Sequence, residues 1–165
     1  MELSVINPSL VLGPVLESDF GTSVELVKRF LNGGFPLAPN ISFGIVDVRD
    51  VAQLHLLALE SPQASGNRFI ASSETLAIPL ISEFLRKKIP EYQKRLPKGT
   101  APDFLIQLLG FFSPLMKTVA NQLGKTKELD NSKAKNILGW QPRSGEEAVI
   151  ASAKSLIEFD IVKSP

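Results

Sequence analysis

Residues 2–12 read ELSVINPSLVL, and the fold class turns on this stretch. Val5 and Ile6 are β-branched and the run is almost continuously apolar, as expected of a strand buried on both faces in a parallel sheet. Pro8 has no N–H to give to a ladder, so the strand must end or break there. Gly13-Pro14 follows as a turn signal. A parallel strand needs a neighbour, and no strand precedes this one in the sequence, so the chain is expected to open in the middle of a sheet.

Moving outward, SVELVKRFL (23–31) fits a short helix, with Ser23 as a possible N-cap and Val24, Val27 and Leu31 on one face. Gly33-Gly34 should stop it. Residues 42–46 (SFGIV) read as a short strand. Asp47 can cap the next helix, with Asp50 three residues on. On that helix Val48, Val51, Ala52, His55 and Leu59 follow helical spacing. Residues 67–72 (NRFIAS) are a second core strand. Pro79 suits a first helical turn, and Leu80, Ile81, Phe84 and Leu85 form a stripe that ends before Pro90. Residues 90–102 contain Pro90, Pro97, Gly99 and Pro102 and read as a surface loop. Residues 103–123 suggest two short apolar helices, broken at Gly110 and Ser113-Pro114. Residues 132–138 form a helix closed by Gly139, with Trp140 packing back on it. Ser144 to Glu147 is a capping box for a last helix reaching about Phe159. The order is strand, helix, strand, helix, strand, then helices: α/β, with too few strands for a complete doubly wound sheet.

Composition narrows the chemistry. In 165 residues, 44% are apolar and 21% charged, which is globular. The net charge is +1, without the basic excess of a nucleic-acid binder. Residues 1–80 carry 4 basic and 8 acidic groups, while residues 81–165 carry 14 and 9. The basic excess around Arg86-Lys87-Lys88, Lys94-Arg95 and Lys98 reads as a solvated face, with an anion contact as the minor alternative. There is no cysteine and one histidine, so disulfides, thiolate catalysis and a multi-His metal site are excluded. No signal peptide is visible after Met1. The most apolar run, Phe104 to Met116, is shorter than the ~20 residues a bilayer needs. A soluble, cytoplasmic protein is expected, with no membrane and no nucleic-acid partner.

Catalytic motifs are missing. G-x-G-x-x-G, the Walker A motif, G-x-S-x-G and H-E-x-x-H do not occur. Tyr92 is the only tyrosine, and position 96, where a Tyr-x-x-x-Lys pair would place its lysine, is leucine.

Four motifs nevertheless occur in one order. They are Asn7 to Pro14 (NPSLVLGP); Val46 to Ala52 (VDVRDVA) with His55; Gly66 to Ile70 (GNRFI); and Leu138 to Ser144 (LGWQPRS) with Glu146-Glu147-Ala148. Together they resemble the C-terminal half of extended short-chain dehydrogenase/reductases, in the NAD-dependent epimerase/dehydratase superfamily. The similarity is greatest to the dihydroflavonol reductase-like branch that includes bacterial aldehyde reductases. The resemblance implies a partial Rossmann fold, with late strands of a doubly wound parallel sheet, plus a mainly helical substrate-binding subdomain. Residues 1–22 and 42–72 would be Rossmann-derived, and 23–41 and 73–165 the substrate-binding part.

The resemblance also implies ligand contacts. Pro8, Ser9, Leu10 and Val11 would meet the nicotinamide end of NADP or NAD, where strands leave the carboxyl edge of a sheet. Ser23 would match a hydroxyl that contacts a cofactor phosphate, a role that suits a helix N-terminus. On its residues alone, Ser23 reads simply as an N-cap. His55, on its apolar stripe, reads as a hydrogen-bonded core histidine, with a catalytic base as the alternative. Asp47 and Asp50 read as cap and first-turn acid, with a paired-carboxylate site as the alternative. Trp140 reads as a packing anchor.

The family's glycine-rich loop and its Ser, Tyr and Lys catalytic groups lie upstream of the matching segment. The expected role is the substrate-binding C-terminal portion of an NAD(P)-dependent oxidoreductase that reduces an aldehyde or ketone by hydride transfer. Residues 103–119 and Phe35-Pro36-Leu37 would cover an apolar pocket. Alone, the chain is expected to bind cofactor weakly or not at all and not to turn over. The alternative is a non-catalytic interaction module derived from a truncated Rossmann enzyme. In either case the 2–7 strand edge is open to a non-native homodimer.

Overall fold

The computed structural model describes residues 2–111, 117 and 119–165. The opening stretch forms two strands, β1 (Val5–Pro8) and β2 (Leu10–Leu12), with Ser9 alone between them. β1 pairs in parallel with β4 (Arg68–Ala71), placing Pro8 opposite Ala71 at the end of the ladder. β2 pairs in parallel with β3 (Ser42–Asp47), in a different sheet. The break expected at Pro8 is therefore a change of sheet. Ser9 holds the junction: its N–H donates to the Ala71 carbonyl at 3.0 Å and its hydroxyl to the same oxygen at 3.3 Å.

One strand departs from the sequence reading. Glu74–Ala77 is β5, antiparallel to β3, whereas only helices were expected after residue 72. Its four residues are short and led by Glu and Thr, and they earn strand status only by pairing with β3. The second sheet, in the order β2-β3-β5, is thus mixed. The α/β class and the partial Rossmann-like architecture stand.

The helices are α1 (Thr22–Leu31), α2 (Val48–Glu60), α3 (Ile78–Lys88), α4 (Asp103–Gly110), α5 (Ser132–Leu138) and α6 (Gly145–Glu158). Their ends follow local chemistry. Asp47 caps α2 by accepting the Arg49 N–H at 2.9 Å. Pro79 sits in the first turn of α3. Gly139 closes α5 in the left-handed region, at φ 63°. The Ser144–Glu147 capping box opens α6. The second apolar helix expected within 103–123 falls largely outside the described residues.

β3 separates two cores because successive side chains point to opposite faces. Ile45 joins Leu12, Val27, Phe30, Leu31, Ile81, Leu85 and Leu156. Val46 joins Leu54, Phe69, Ala71, Ala134, Leu138 and Trp140 under the β1–β4 pair. Trp140 is the expected anchor, and its indole N–H donates to the Asp50 carbonyl at 2.9 Å. The 90–102 segment is not simply a surface loop. Tyr92 and Leu96 are buried in the first core, and Ala38 bridges to Thr100.

Candidate functional site

The turn after β2 and the start of α1 border an open cavity of about 280 Å³, with Val11, Gly13, Val15, Phe20, Ser23 and Val48 among its walls. Two of the five expected cofactor residues, Val11 and Ser23, meet there. Pro8, Ser9 and Leu10 lie outside this lining. Pro8 is exposed, Ser9 is tied to Ala71, and Leu10 leans on the first core.

Ser23 is not the N-cap. The cap of α1 is Gly21, which has no side chain to offer, and Ser23 is the second helical residue. The Val24 N–H donates to the Gly21 carbonyl at 3.2 Å, and no side chain caps the first turn. Glu17 and Asp19 also line the cavity, so its wall is not uniformly favourable to negative charge.

The turn itself is tightly held. Gly13 has φ 116°, and a Cβ there would stand 2.9 Å from Asp47 Oδ1 and 3.0 Å from Val48 Cγ1. Only glycine fits without displacement. Behind it, Asp47 is fully buried and paired with Arg49, whose Nε and Nη2 donate at 2.8 and 2.7 Å. The hydrogen bond to Asp47 raises the Arg49 pKa above its ordinary value, against a smaller opposing effect of desolvation. From the other side, the Gly13 N–H donates to Ser152 Oγ at 2.8 Å and the Val15 N–H donates to Ser155 Oγ at 2.9 Å.

The remaining candidates separate from this site. Asp50 is buried and accepts the Arg143 N–H at 2.7 Å and also its guanidinium. Asp47 and Asp50 thus each hold a different arginine, which supports their structural reading over a carboxylate pair. His55 is exposed, contrary to the expected core position, although its Nδ1 lies 2.8 Å from the Val51 carbonyl oxygen as a hydrogen-bonded ring would. The helical stripe it shares with Val48, Ala52 and Leu59 faces outward, and Leu59 is 83% exposed. Spacing identified a real apolar stripe; the described chain buries α2 through Asp50 and Leu54 instead. Tyr92, at 3% exposure, belongs to the first core.

Sequence reasoning missed Ser152 and Ser155. Their signal is faint: two small polar residues three apart on a helix face otherwise made of Ala148, Val149 and Leu156.

Comparison with known proteins gives a consistent pattern. No family model matches the chain. It is 28% identical over 165 residues to the NADPH-dependent methylglyoxal reductase of Saccharomyces cerevisiae, covering 96% of this chain and 44% of that protein. It is 33% identical over 168 residues to the ketoreductase azaE of Aspergillus niger, covering 95% and 44%. It superposes on the crystal structure of yeast methylglyoxal/isovaleraldehyde reductase complexed with NADPH with a TM-score of 0.72 at 26% identity, over 96% of this chain and 44% of that one. The chain spans less than half the length of the curated relatives it matches.

Proposed function

We propose, on the premise that the chain belongs to the reductases of the NAD-dependent epimerase/dehydratase superfamily, that it is the substrate-binding C-terminal portion of an NADPH-dependent carbonyl reductase acting on a small aldehyde or ketone. The observation that carries this reading is the cavity where Val11 and Ser23 meet beside the α1 N-terminus, which lacks a side-chain cap. Residues 1–22 and 42–72 are assigned to the Rossmann-derived part, and 23–41 and 73–165 to the substrate side. A cytoplasmic location belongs to the same reading, since a chain without cysteine needs no oxidising compartment.

The residues fit one part of a dinucleotide. Ser23 and the first-turn N–H groups of α1 would take a phosphate. Pro8 to Val11 would lie toward the nicotinamide. A cavity of this size cannot take the whole cofactor, so the remainder would be held elsewhere. When bound, NADPH supplies the hydride to the carbonyl carbon. The carbonyl oxygen must then gain a proton. Tyr92 is packed in the first core and cannot approach such a substrate. The proton donor in this reading is not Tyr92, and the resemblance puts the family's Tyr-Lys pair upstream of the matching segment.

A second reading has its own observation. The outer edge of β1 is unpaired among the described residues, and α2 exposes Val48, Leu56 and Leu59. Both suit an interaction module that docks on a partner.

The test is NADPH consumption with small aldehydes, measured for this chain alone and for the chain co-expressed with the part of the yeast relative that it does not match. No turnover alone and turnover on complementation are expected. Turnover by the chain alone, or none in either arm, would overturn the assignment.

A further inference from the structure

We infer that residues 124–131 (GKTKELDN) are a lid over the cleft where the two sheets part, and that the Ser72 hydroxyl is the hydrogen-bonding group it hides.

The cleft follows from the strand order. The chain crosses between the sheets twice, at Ser9 from β1 to β2 and at Ser72-Ser73 from β4 to β5. Ser73 fixes its crossing as Ser9 does: its N–H and its hydroxyl both donate to one carbonyl, that of Ile45, at 2.7 and 2.8 Å. Both crossings stand at the carboxyl ends of the parallel strands β1 and β4, the edge at which α/β sheets take ligands. Gly44 of β3 forms the wall between them. A Cβ there would stand 2.8 Å from Ser72 Oγ and 3.1 Å from Ser9 Cβ, and would overlap Leu129 Cδ1. The tip of Leu129 therefore fills the gap left by the absent Gly44 side chain.

The segment that carries this plug is lightly held. Leu129 is the only apolar residue in 124–131, and residues 125–131 belong to no helix or strand. Three hydrogen bonds tie it down among the described residues. The Gly124 N–H donates to the Asn40 carbonyl at 3.3 Å, the Thr75 hydroxyl to the Lys127 carbonyl at 3.1 Å, and the Asn131 side-chain amide to the Ser72 carbonyl at 2.6 Å. Leu129 itself stays 37% exposed.

Closure has a cost. Ser72 is 1% exposed, and its hydroxyl has no hydrogen-bond partner among the described residues. A hydroxyl buried in this way has given up its bonds to water for nothing. Lifting the lid returns water to it and loses only one partly exposed side chain and a few hydrogen bonds. The lid therefore opens at a lower free energy than the two cores flanking β3. Once it is open, a small polar molecule arriving at the ends of β1 and β4 meets the Ser72 hydroxyl. Gly44, Ser72 and Leu129 are not among the walls of the cavity beside α1, so the two features are separate.

The chain has no cysteine, so an introduced thiol reports on one position. Ser72→Cys places it under the lid. Ser82→Cys places it at a second buried hydroxyl without a partner, on α3 beside Ile81 in the first core. Alkylation by iodoacetamide, a small uncharged probe, is timed by intact mass on the folded whole chain. Each cysteine variant is measured alone and combined with Leu129→Ala or Asn131→Ala.

The thiol at position 72 is expected to react about tenfold or more faster than that at position 82. Either lid variant should speed position 72 about another tenfold, the scale of one lost contact, and leave position 82 unchanged. Equal rates at the two positions would overturn the inference, because only opening of the whole chain would then expose them. A rise at both positions in the lid variants would overturn it too, as would a thiol at position 72 that ignores both variants. Ser72→Ala tests the hidden hydroxyl without a thiol. Its Tm should hold or rise, since an unpartnered group is removed, and a lower Tm would show the hydroxyl to be bonded and sink the inference.

Discussion

The Asp50 carboxylate accepts the backbone N–H of Arg143 at 2.7 Å, together with its guanidinium, across 93 positions of sequence. Asp50 is only 1% exposed, whereas the Arg143 side chain is 42% exposed. The first turn of α2 is thereby fixed to the segment leading into α6. A buried carboxylate without these donors would be costly.

Asp50→Asn should therefore lower stability by about 2 kcal/mol, the scale of a hydrogen bond to a charged group. For a chain of this size that corresponds to a fall of about 4–8 °C in Tm. Calorimetry checks it, and an unchanged Tm would show the contact to be idle.

Gly13→Ala should be worse, because a Cβ meets Asp47 and Val48 and φ 116° is foreign to alanine. A loss of about 3 kcal/mol is expected. Gly21→Ala is the control, since its Cβ would meet nothing within 4 Å. Urea unfolding of both distinguishes the site from a general intolerance of glycine replacement.

His55→Asn bears on a corrected expectation. With the ring exposed and bonded only within its own helix, stability should change by no more than about 0.5 kcal/mol. A change above about 1.5 kcal/mol would mean that His55 is covered in the protein as it works.

Self-association should run through the open side of β1. Val5 is exposed at 39% and pairs only toward β4 among the described residues. Sedimentation at micromolar concentration is expected to show species larger than a monomer, and Val5→Lys should reduce them. A single monomer in wild type would refute this. If Val5→Lys leaves the association intact, Leu59→Glu tests the outward face of α2 instead.

What the sequence disclosed was whatever depends on near neighbours. Pro8 announced the interruption, Asp47 its cap, Gly139 its left-handed stop and Ser144–Glu147 its reciprocal box, each decided within about four residues. β5 was hidden because Glu74–Ala77 has no strand character apart from its partner Ser42–Ile45. His55 was misplaced because spacing reveals an apolar stripe but not what covers it. Of the site, the meeting of Val11 with Ser23 came from family resemblance, and the serines of α6 from neither source. Contacts spanning 139 residues leave no trace in a local pattern.

Ser9 has a mechanical meaning. One residue bridges at most about 3.6 Å, and this one joins two sheets while its N–H and hydroxyl are both fastened to Ala71. There is no slack to take up. A force that rotated the β2–β3–β5 sheet against the β1–β4 pair would load the two Ser9–Ala71 hydrogen bonds first.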